Sequence, residues 1–221
     1  MGMNIGMPVV AENLMFSIDA ADSTLLQEAQ IWGDYMGKKG ALLNSPIFSE
    51  EKLGVFNFDG VNEKCEVSTD IVFENNTTWE SWINCTANKV GAQYWLGKHL
   101  PFFSFAQENT IEFSNSINSI QRSIYTANNI PQNQWIHVVG TTEYISPNTT
   151  MRLWINGILI SQESFSGTQT NYSTQKLTIG DNYATSNPFT GKISNIKIYN
   201  MCFSEQQIIQ NYQAILPRYI Y

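Results

Sequence analysis

Short apolar runs that turn residues interrupt roughly every 8–12 positions constrain the fold of this chain more than any other feature. Runs of this length fit β-strands, and no long amphipathic helical pattern occurs before residue 204. The clearest runs are Leu14–Ile18, Gly54–Phe58, Trp79–Asn84, Tyr94–Gly97, Phe102–Ala106, Ile111–Ser114, Trp135–Thr142, Met151–Ile155, Ile158–Ser161, Leu177–Gly180 and Lys192–Tyr199. The pattern predicts an all-β protein, a two-sheet antiparallel jelly-roll sandwich.

The sequence identifies one tight turn clearly, at Asn156-Gly157, but it does not resolve the turns within residues 114–134. Asn156-Gly157 joins two of the runs, and a two-residue Asn-Gly connection is typical of a type I′ turn because both residues need a positive φ. Alternate residues of the preceding run are Met, Leu and Ile, so one face of that strand is predicted to lie in the core. Residues 114–134 are rich in Asn, Ser and Gln and are interpreted as a long rim loop with a short strand at Ser123–Thr126.

One short C-terminal helix is expected after the sandwich. Ser204 fits the N-cap, Gln207 fits its reciprocal partner in a capping box, and Pro217 is expected to end the helix. The predicted segments are an N-terminal arm (1–12), a jelly-roll domain (13–203) and a C-terminal helix and tail (204–221).

The composition excludes several classes of protein. Hydrophobic residues make up 43% of the 221 residues and charged residues 14%, so the chain can bury a sizeable core and is not disordered. The net charge is −7 and no run of Lys or Arg exceeds two, which argues against a nucleic-acid partner. The apolar runs are far shorter than the ~20 residues that cross a bilayer, so no membrane span is expected. The first basic residue is Lys38, so no signal peptide is expected and synthesis in a cytoplasm is favoured.

The cysteines predict no metal site. Cys65, Cys85 and Cys202 stand at wide spacings without a CxxC motif, and the chain has two histidines. This pattern argues against zinc and favours free, buried thiols.

The apolar runs also carry motifs in a fixed order. They are Phe56–Asn62 (FNFDGVN), Thr78–Ile83 (TWESWI), Leu96–Lys98 (LGK), Trp135–Thr141 (WIHVVGT), Met151–Gly157 (MRLWING), Leu177–Gly180 (LTIG) and Gly191–Asn200 (GKISNIKIYN). The ordered series resembles the strands of laminin-G-like, concanavalin A-like jelly-roll domains. The resemblance covers about residues 53–213 and implies that fold.

The first fifty residues add a narrower similarity. Leu14–Asp22 (LMFSIDAAD) resembles the L-V-F-S-L-D-A-A-D opening of such domains in tailed bacteriophages. Trp32–Gly37 and Leu43–Pro46 resemble the W-x-D-x-S-G and L-x-N-x-P motifs that follow, with Met36 where the family has Ser. The resemblance implies a virion protein displayed on a capsid or fibre, although bacterial surface proteins share the pattern.

No catalytic residue is assigned. Concanavalin A-like glucanases carry an E-x-D-x-x-E strand whose carboxylates bracket the scissile bond, and this sequence has no such string. The nearest groupings, Glu63 with Glu66 and Glu108 with Glu112, are interpreted as solvated surface carboxylates. His137 has no Ser or Asp near it in sequence and is interpreted as a structural histidine. The chain is therefore expected not to be an enzyme.

No cofactor is expected, with structural calcium as the open alternative. Many members of this fold hold Ca²⁺ at a rim through Asp, Asn and backbone oxygens, which Asp59, Asn62 and Asp181-Asn182 could offer. Asp59-Gly60 is equally explained by a turn, so no metal ligand is assigned.

Carbohydrate binding needs aromatic faces for sugar C–H surfaces and amides for the hydroxyls. The residues predicted to bind such a ligand are Tyr94, Trp95, Asn109 and Tyr183, with Tyr125 and Asn182 as further contributors. The tryptophans interpreted as core or sheet-face residues are Trp79, Trp82, Trp135 and Trp154.

Two classes of function stay open. The first is a non-catalytic virion protein, a capsid decoration or fibre module that forms a homo-oligomer on the particle and binds neighbouring subunits and host glycans. The second is a secreted bacterial lectin or a detached binding module of a glycoside hydrolase. One or both of the apolar ends, Met1–Val10 and Ile215–Tyr221, are predicted to order against a partner subunit. The alternative is that both ends fold back on their own sandwich.

Overall fold

The computed structural model confirms the all-β prediction. It describes residues 8–22, 31–33, 39–67, 71–86, 91–107, 109–127, 130–171, 175–182 and 187–220. Within these residues the chain forms sixteen strands and two short C-terminal helices. The strands form two antiparallel sheets that pack face to face as a jelly-roll-like sandwich.

The strands follow one another along the whole described chain. They are β1 Leu14–Asp19, β2 Ile31–Gly33, β3 Lys39–Leu43, β4 Ile47–Ser49, β5 Val55–Asp59, β6 Lys64–Val67, β7 Thr77–Cys85, β8 Gln93–Gly97, β9 Phe102–Gln107, β10 Thr110–Ile117, β11 Ile120–Tyr125, β12 Ile136–Ile145, β13 Asn148–Ile155, β14 Ile158–Ser166, β15 Thr178–Ile179 and β16 Thr190–Tyr199. The helices are α1 Glu205–Ile215 and α2 Pro217–Ile220, and Glu51–Leu53 forms a 3₁₀ turn.

The two sheets contain eight strands each. Sheet 1 has the order β14-β13-β12-β7-β16-β5-β4, and β1 also pairs with β16. Sheet 2 has the order β11-β10-β9-β8-β15-β6-β3-β2. Strands that follow one another along the chain often belong to different sheets: β5 and β7 lie in sheet 1 and β6 lies in sheet 2. The chain therefore passes repeatedly between the sheets.

The main core lies between the sheets and is built from alternate residues of their strands. In β13 the apolar residues Met151, Leu153 and Ile155 face this core and Trp154 lies on the other face, as the alternation predicts. Burying one such side chain stabilises the fold by about 1.5–3 kcal/mol. The Asn156-Gly157 turn has φ values of 52° and 79°, which confirms the type I′ connection.

Residues 114–134 contain more strand than the predicted rim loop with one short strand. The strand predicted at Ser123–Thr126 falls largely within β11, while residues 114–117 belong to β10. Strands β10 and β11 form a hairpin here, with Ile117 opposite Ile120. Asn118 and Ser119 connect them with φ values of 50° and 63°, so this is another turn with two positive φ angles. Most polar residues of 114–125 lie on these two strands, whereas residues 130–134 form no strand, and the composition alone could not distinguish a strand with one polar face from a loop.

The C-terminal helix begins as predicted, but a second helix follows it. The Ser204 N–H donates to Oε1 of Gln207 at 2.9 Å, and the Gln207 N–H donates to Oγ of Ser204 at 3.4 Å, which completes the capping box. The chain does not leave the helical conformation at Pro217, because Pro217 is the first residue of α2, a position where its missing N–H costs no hydrogen bond.

Helix α1 covers the outer face of sheet 1. Beneath it lies a second apolar cluster formed by Val139, Trp154, Tyr199, Phe203 and Ile208. The tryptophans interpreted as core or sheet-face residues follow that interpretation, except that one of them, Trp135, is half-buried at the start of β12.

The described parts of both termini contact their own sandwich. The Val10 N–H donates to Oδ1 of Asn211 at 2.7 Å. At the other end Arg218 forms an ion pair with Asp19 at 2.7 Å. The described residues of both ends therefore fold back on their own sandwich, which is the alternative to ordering against a partner, while residues 1–7 and 221 lie outside the described part of the chain.

All three cysteines are free thiols, as predicted. Cys65 and Cys85 are buried and Cys202 is partly exposed. Burial raises the pKa of the Cys65 and Cys202 thiols, so both stay protonated. Neither helix among the described residues is long and apolar enough to cross a membrane.

Candidate functional site

The outer face of sheet 2 carries a row of polar side chains on four neighbouring strands. The strand register places Tyr125 of β11, Glu112 of β10, Ser104 of β9 and Tyr94 of β8 opposite one another. We call this set the Tyr94–Tyr125 row. Because neighbouring strands lie about 4.8 Å apart, the row is about 14 Å long.

Glu112 occupies the centre of the row, and three hydroxyl groups hold its carboxylate. Ser104 Oγ donates to Oε2 at 2.8 Å, Ser114 Oγ donates to Oε1 at 2.7 Å, and the Tyr125 hydroxyl donates to Oε1 at 3.3 Å. A carboxylate accepts about four hydrogen bonds, so these three leave about one acceptor position of Glu112 without a donor from the row. Glu112 is 7% exposed, so its interpretation as a solvated carboxylate is wrong, and Glu108 lies outside the described residues.

Tyr94 forms the other end of the row beside a loop. Its N–H donates to the carbonyl of Asn187 at 3.0 Å, and its side chain hydrogen-bonds to Asn182. Asp181 Oδ1 accepts from the N–H groups of Asn182 and Asn187 at 2.7 and 3.1 Å, which ties these two residues together. Burial, with the nearby charge of Glu112, raises the pKa of Tyr94, so its hydroxyl stays protonated and can donate to a ligand.

The structure places the residues that were predicted to bind a ligand in different parts of the molecule. Tyr94 lies in the row, and Asn109 lies in the β9–β10 turn with φ of 58°, about 10 Å along the strand from the row. Trp95 is fully buried in the core, where its indole N–H donates to a core serine, so it has no face open to a ligand and its assignment is corrected. Tyr183 lies outside the described residues.

The rim residues considered for calcium form local turns. Asp59 Oδ1 accepts from the Val61 N–H at 2.7 Å, and Gly60 has φ of 72°, which is the turn that the Asp-Gly pair favours. In the part of the chain that the structure describes, no three His, Cys, Asp or Glu side chains come together in a group that could hold a metal ion.

A second group of ionisable residues lies under α1 and is closed to ligands. His137 Nε2 and Lys197 Nζ lie 3.2 and 3.8 Å from Oε1 of the buried Glu80, and Asn211 Nδ2 donates to Oε2 at 2.7 Å. Burial raises the pKa of Glu80, but Lys197, His137 and Asn211 outweigh it and lower this pKa to about 2. His137 is thus buried within a packed charge cluster, as the interpretation of a structural histidine requires.

The groups in the row are of the kinds that bind hydroxyl-rich ligands. Tyrosine rings, hydroxyls and a fixed carboxylate are groups that recognise sugars. Glycoside hydrolysis uses two carboxyl groups about 5–10 Å apart, whereas the row itself contains one.

Residues 59–209 match the sequence model of the concanavalin A-like lectin/glucanases superfamily. The chain belongs to this superfamily. The matched region runs from the end of β5 into α1, so it contains both sheets' central strands and the whole Tyr94–Tyr125 row. No curated protein sequence matches the chain.

Solved structures share the fold at low sequence identity. Domain 4 of AbnA, a GH43 extracellular arabinanase from Geobacillus stearothermophilus, solved in complex with arabinotriose, has a TM-score of 0.71 and 16% identity, covering 91% of this chain and 98% of that one. The receptor binding domain of botulinum neurotoxin type G has a TM-score of 0.67 and 15% identity, over 91% of this chain and 51% of that one. A Trypanosoma rangeli sialidase has a TM-score of 0.67 and 12% identity, over 96% and 34%. The chain thus spans about half of the toxin domain and a third of the sialidase, and at these identities the likeness shows the fold alone.

Proposed function

We propose that this chain is a non-catalytic module that binds glycans through the Tyr94–Tyr125 row. The observation that carries the proposal is Glu112, whose carboxylate is fixed by three hydroxyls at the centre of an outer sheet face. A carboxylate held in this way offers an oriented, charge-assisted acceptor to a sugar hydroxyl, and the tyrosines offer rings to its C–H faces. The similar domain solved with arabinotriose supports this class of ligand.

Binding to an immobilised glycan array tests the row. Tyr94→Ala and Tyr125→Ala are each expected to lower the affinity about tenfold, because each removes a ring and a hydroxyl from one end of the row. The matched control is Tyr144→Ala, which removes a half-buried tyrosine from β12 in sheet 1 and is expected to leave binding unchanged. Melting temperatures of the three variants show whether the fold is intact. Binding that survives both row substitutions, or no binding to any glycan on the array, would contradict the proposal.

We expect the chain not to hydrolyse glycans. Glu112 has no second carboxylate in the row to act as its acid or base partner, so laminarin, agarose and arabinan should release no reducing sugar on incubation with the purified protein. The decisive comparison is with Glu112→Gln. Sugar release by the natural sequence that this substitution abolishes would make Glu112 a catalytic residue and overturn the prediction.

We further propose that the module is displayed on the virion of a tailed bacteriophage, as a capsid decoration or fibre module made in the host cytoplasm. The resemblance of Leu14–Asp22 to the opening of such phage domains supports this role. Mass spectrometry of purified particles tests it, with cryo-electron microscopy of the particle to locate the copies and their neighbouring subunits. Purified particles that contain no copy of the chain would refute a virion role.

A secreted bacterial carbohydrate-binding lectin or a detached binding module of a glycoside hydrolase is the alternative. The fold of this chain corresponds to nearly all of an arabinanase domain, 98% of its length, which favours that reading. Neighbouring genes discriminate between the two: capsid or tail genes support the virion role, and hydrolase or transporter genes support the alternative.

A further inference from the structure

We propose that a cleft beside the C-terminal helices binds a neutral saccharide, independently of the Tyr94–Tyr125 row. The cleft has a volume of about 430 Å³, within the usual range of small-molecule sites. Four aromatic side chains line it: Trp82 of β7, Trp135 before β12, Tyr212 of α1 and Tyr219 of α2. It therefore lies on the side of sheet 1, away from the outer face of sheet 2.

The aromatic rings of the cleft lie nearly parallel to one another. Tyr219 stacks on Trp82 and on Trp135, with ring centroids 4.3 and 4.7 Å apart, and Tyr212 stacks on Trp82 at 5.7 Å. A cation cage instead needs ring faces on several sides of the ligand, so this arrangement argues against a quaternary ammonium. Half-exposed Trp135 presents part of a flat indole to the cleft, which suits the C–H side of a sugar ring.

Three buried polar atoms of residues that line the cleft have no hydrogen-bond partner among the described residues. They are Oδ1 of Asn84 and the Nε1 atoms of Trp82 and Trp135. Asn84 is 7% exposed and Trp82 is 1% exposed, so bulk water does not satisfy them. Buried polar groups without a partner are rare in folded proteins and call for one. A ligand that supplies one donor and two acceptors completes the site, and sugar hydroxyls supply both kinds of group.

The charges of the cleft favour a neutral ligand. Its two charged lining residues, Glu51 and Lys52, have opposite signs. Glu51 is paired with Lys192 at 2.5 Å, so its charge is compensated within the protein. A cationic ligand would gain no unpaired counter-charge from Glu51, and the charges of Glu51 and Lys52 sum to zero, so the net charge of the lining favours neither an anion nor a cation.

Indole N–H resonances in a ¹H–¹⁵N NMR spectrum test the proposal directly. The probes are glucose, galactose, mannose, arabinose and xylose, each titrated to about 0.1 M because ligands of few atoms bind weakly. The signals of Trp82 and Trp135 are expected to shift saturably with at least one of these sugars. The signal of Trp95, whose N–H is already bonded in the core, is expected not to shift.

Substitutions show whether the NMR response to a sugar arises in this cleft, in the row or elsewhere on the surface. Asn84→Ala removes the buried acceptor and is expected to weaken the response at least about tenfold, whereas Gln213→Ala, an exposed amide on α1, is the matched control. Trp135→Phe keeps a ring but removes a donor at a half-exposed position, so it provides a second test if Asn84→Ala does not fold. Tyr94→Ala is expected to leave the response intact, which makes failure here distinguishable from failure of the row.

Two results would overturn the proposal. One is the absence of a saturable shift at Trp82 and Trp135 with all five sugars, which would leave water as the occupant. The other is an equal response in the natural sequence, in Asn84→Ala and in Trp135→Phe, which would place the contact elsewhere on the surface.

Discussion

Glu80 shows how strongly one buried carboxylate depends on its neighbours. Its charge compensates Lys197 and lies beside His137 in a place that helix α1 closes to water. Glu80→Gln keeps the shape but leaves the buried charge of Lys197 uncompensated, so we expect a loss of about 3–5 kcal/mol in the free energy of unfolding. Chemical denaturation measures this loss. Glu143→Gln is the control, because Glu143 pairs with Arg152 at a partly exposed site and is expected to cost less than about 1 kcal/mol.

The lowered pKa of Glu80 also makes the stability of the fold depend on pH. The pKa of Glu80 is lowered from 4.5 to about 2 in the folded chain, so its stabilisation is fully present above about pH 4.5 and is lost as the pH falls toward 2. The shift corresponds to about 3 kcal/mol. Urea midpoints between pH 2 and 6 should therefore fall more steeply with acidification in the natural sequence than in Glu80→Gln. Parallel curves would contradict the assignment of this effect to Glu80.

At the residue scale, the sequence shows which side chains carry polar or aromatic groups, but it does not show which residues surround each of them in the folded chain. Tyr94 and Trp95 were both predicted to bind a ligand, but adjacent residues of a strand face opposite sides, and Trp95 is the one that enters the core. The sequence does not distinguish Glu112 from other polar residues on an outer strand face. The hydroxyls that hydrogen-bond to its carboxylate belong to residues elsewhere on its own strand and on the two neighbouring strands. Glu63, also taken as solvated, is 7% exposed and accepts a hydrogen bond from the Asp59 N–H at 2.6 Å.

At the scale of elements, a turn or helix start could be predicted only where particular residue types mark it. The Asn156-Gly157 hairpin and the Ser204 capping box were recognisable because each depends on residue types at fixed local positions. The β10–β11 hairpin was not recognised, because Asn118-Ser119 adopts the same positive φ angles without a glycine to mark it.

The N-terminal arm is expected to stabilise the sandwich rather than leave it unchanged. Deleting residues 1–10 removes the Val10 N–H from Asn211 and the Val10 carbonyl from the Tyr199 hydroxyl. The loss of these partners at a part-buried site should cost about 1–3 kcal/mol and lower the melting temperature. Deleting residues 1–7 alone keeps both contacts and serves as the control. Equal melting temperatures for the two deletions would show that the arm contributes nothing.

At the scale of the whole molecule, the fold class could be predicted because it depends on periodicity and turn spacing along the entire chain. The cleft could not, because its aromatic side chains come from β7, from the residue before β12 and from both helices, and they meet only in the folded chain. The row was hidden for the same reason, since strand register rather than sequence distance brings its members together.

Pro8 and α2 both attach to the side of sheet 1, through Gln210 of α1 and through Ser194 of β16. A solid support, dye or fusion partner joined near either end would therefore sit on that side, and the Tyr94–Tyr125 row would point away from it. Copies anchored side by side would present their rows to the same surface, where many weak contacts combine into avidity. The cleft by the helices would face the support instead, so tethered protein would report on the row and protein free in solution on both.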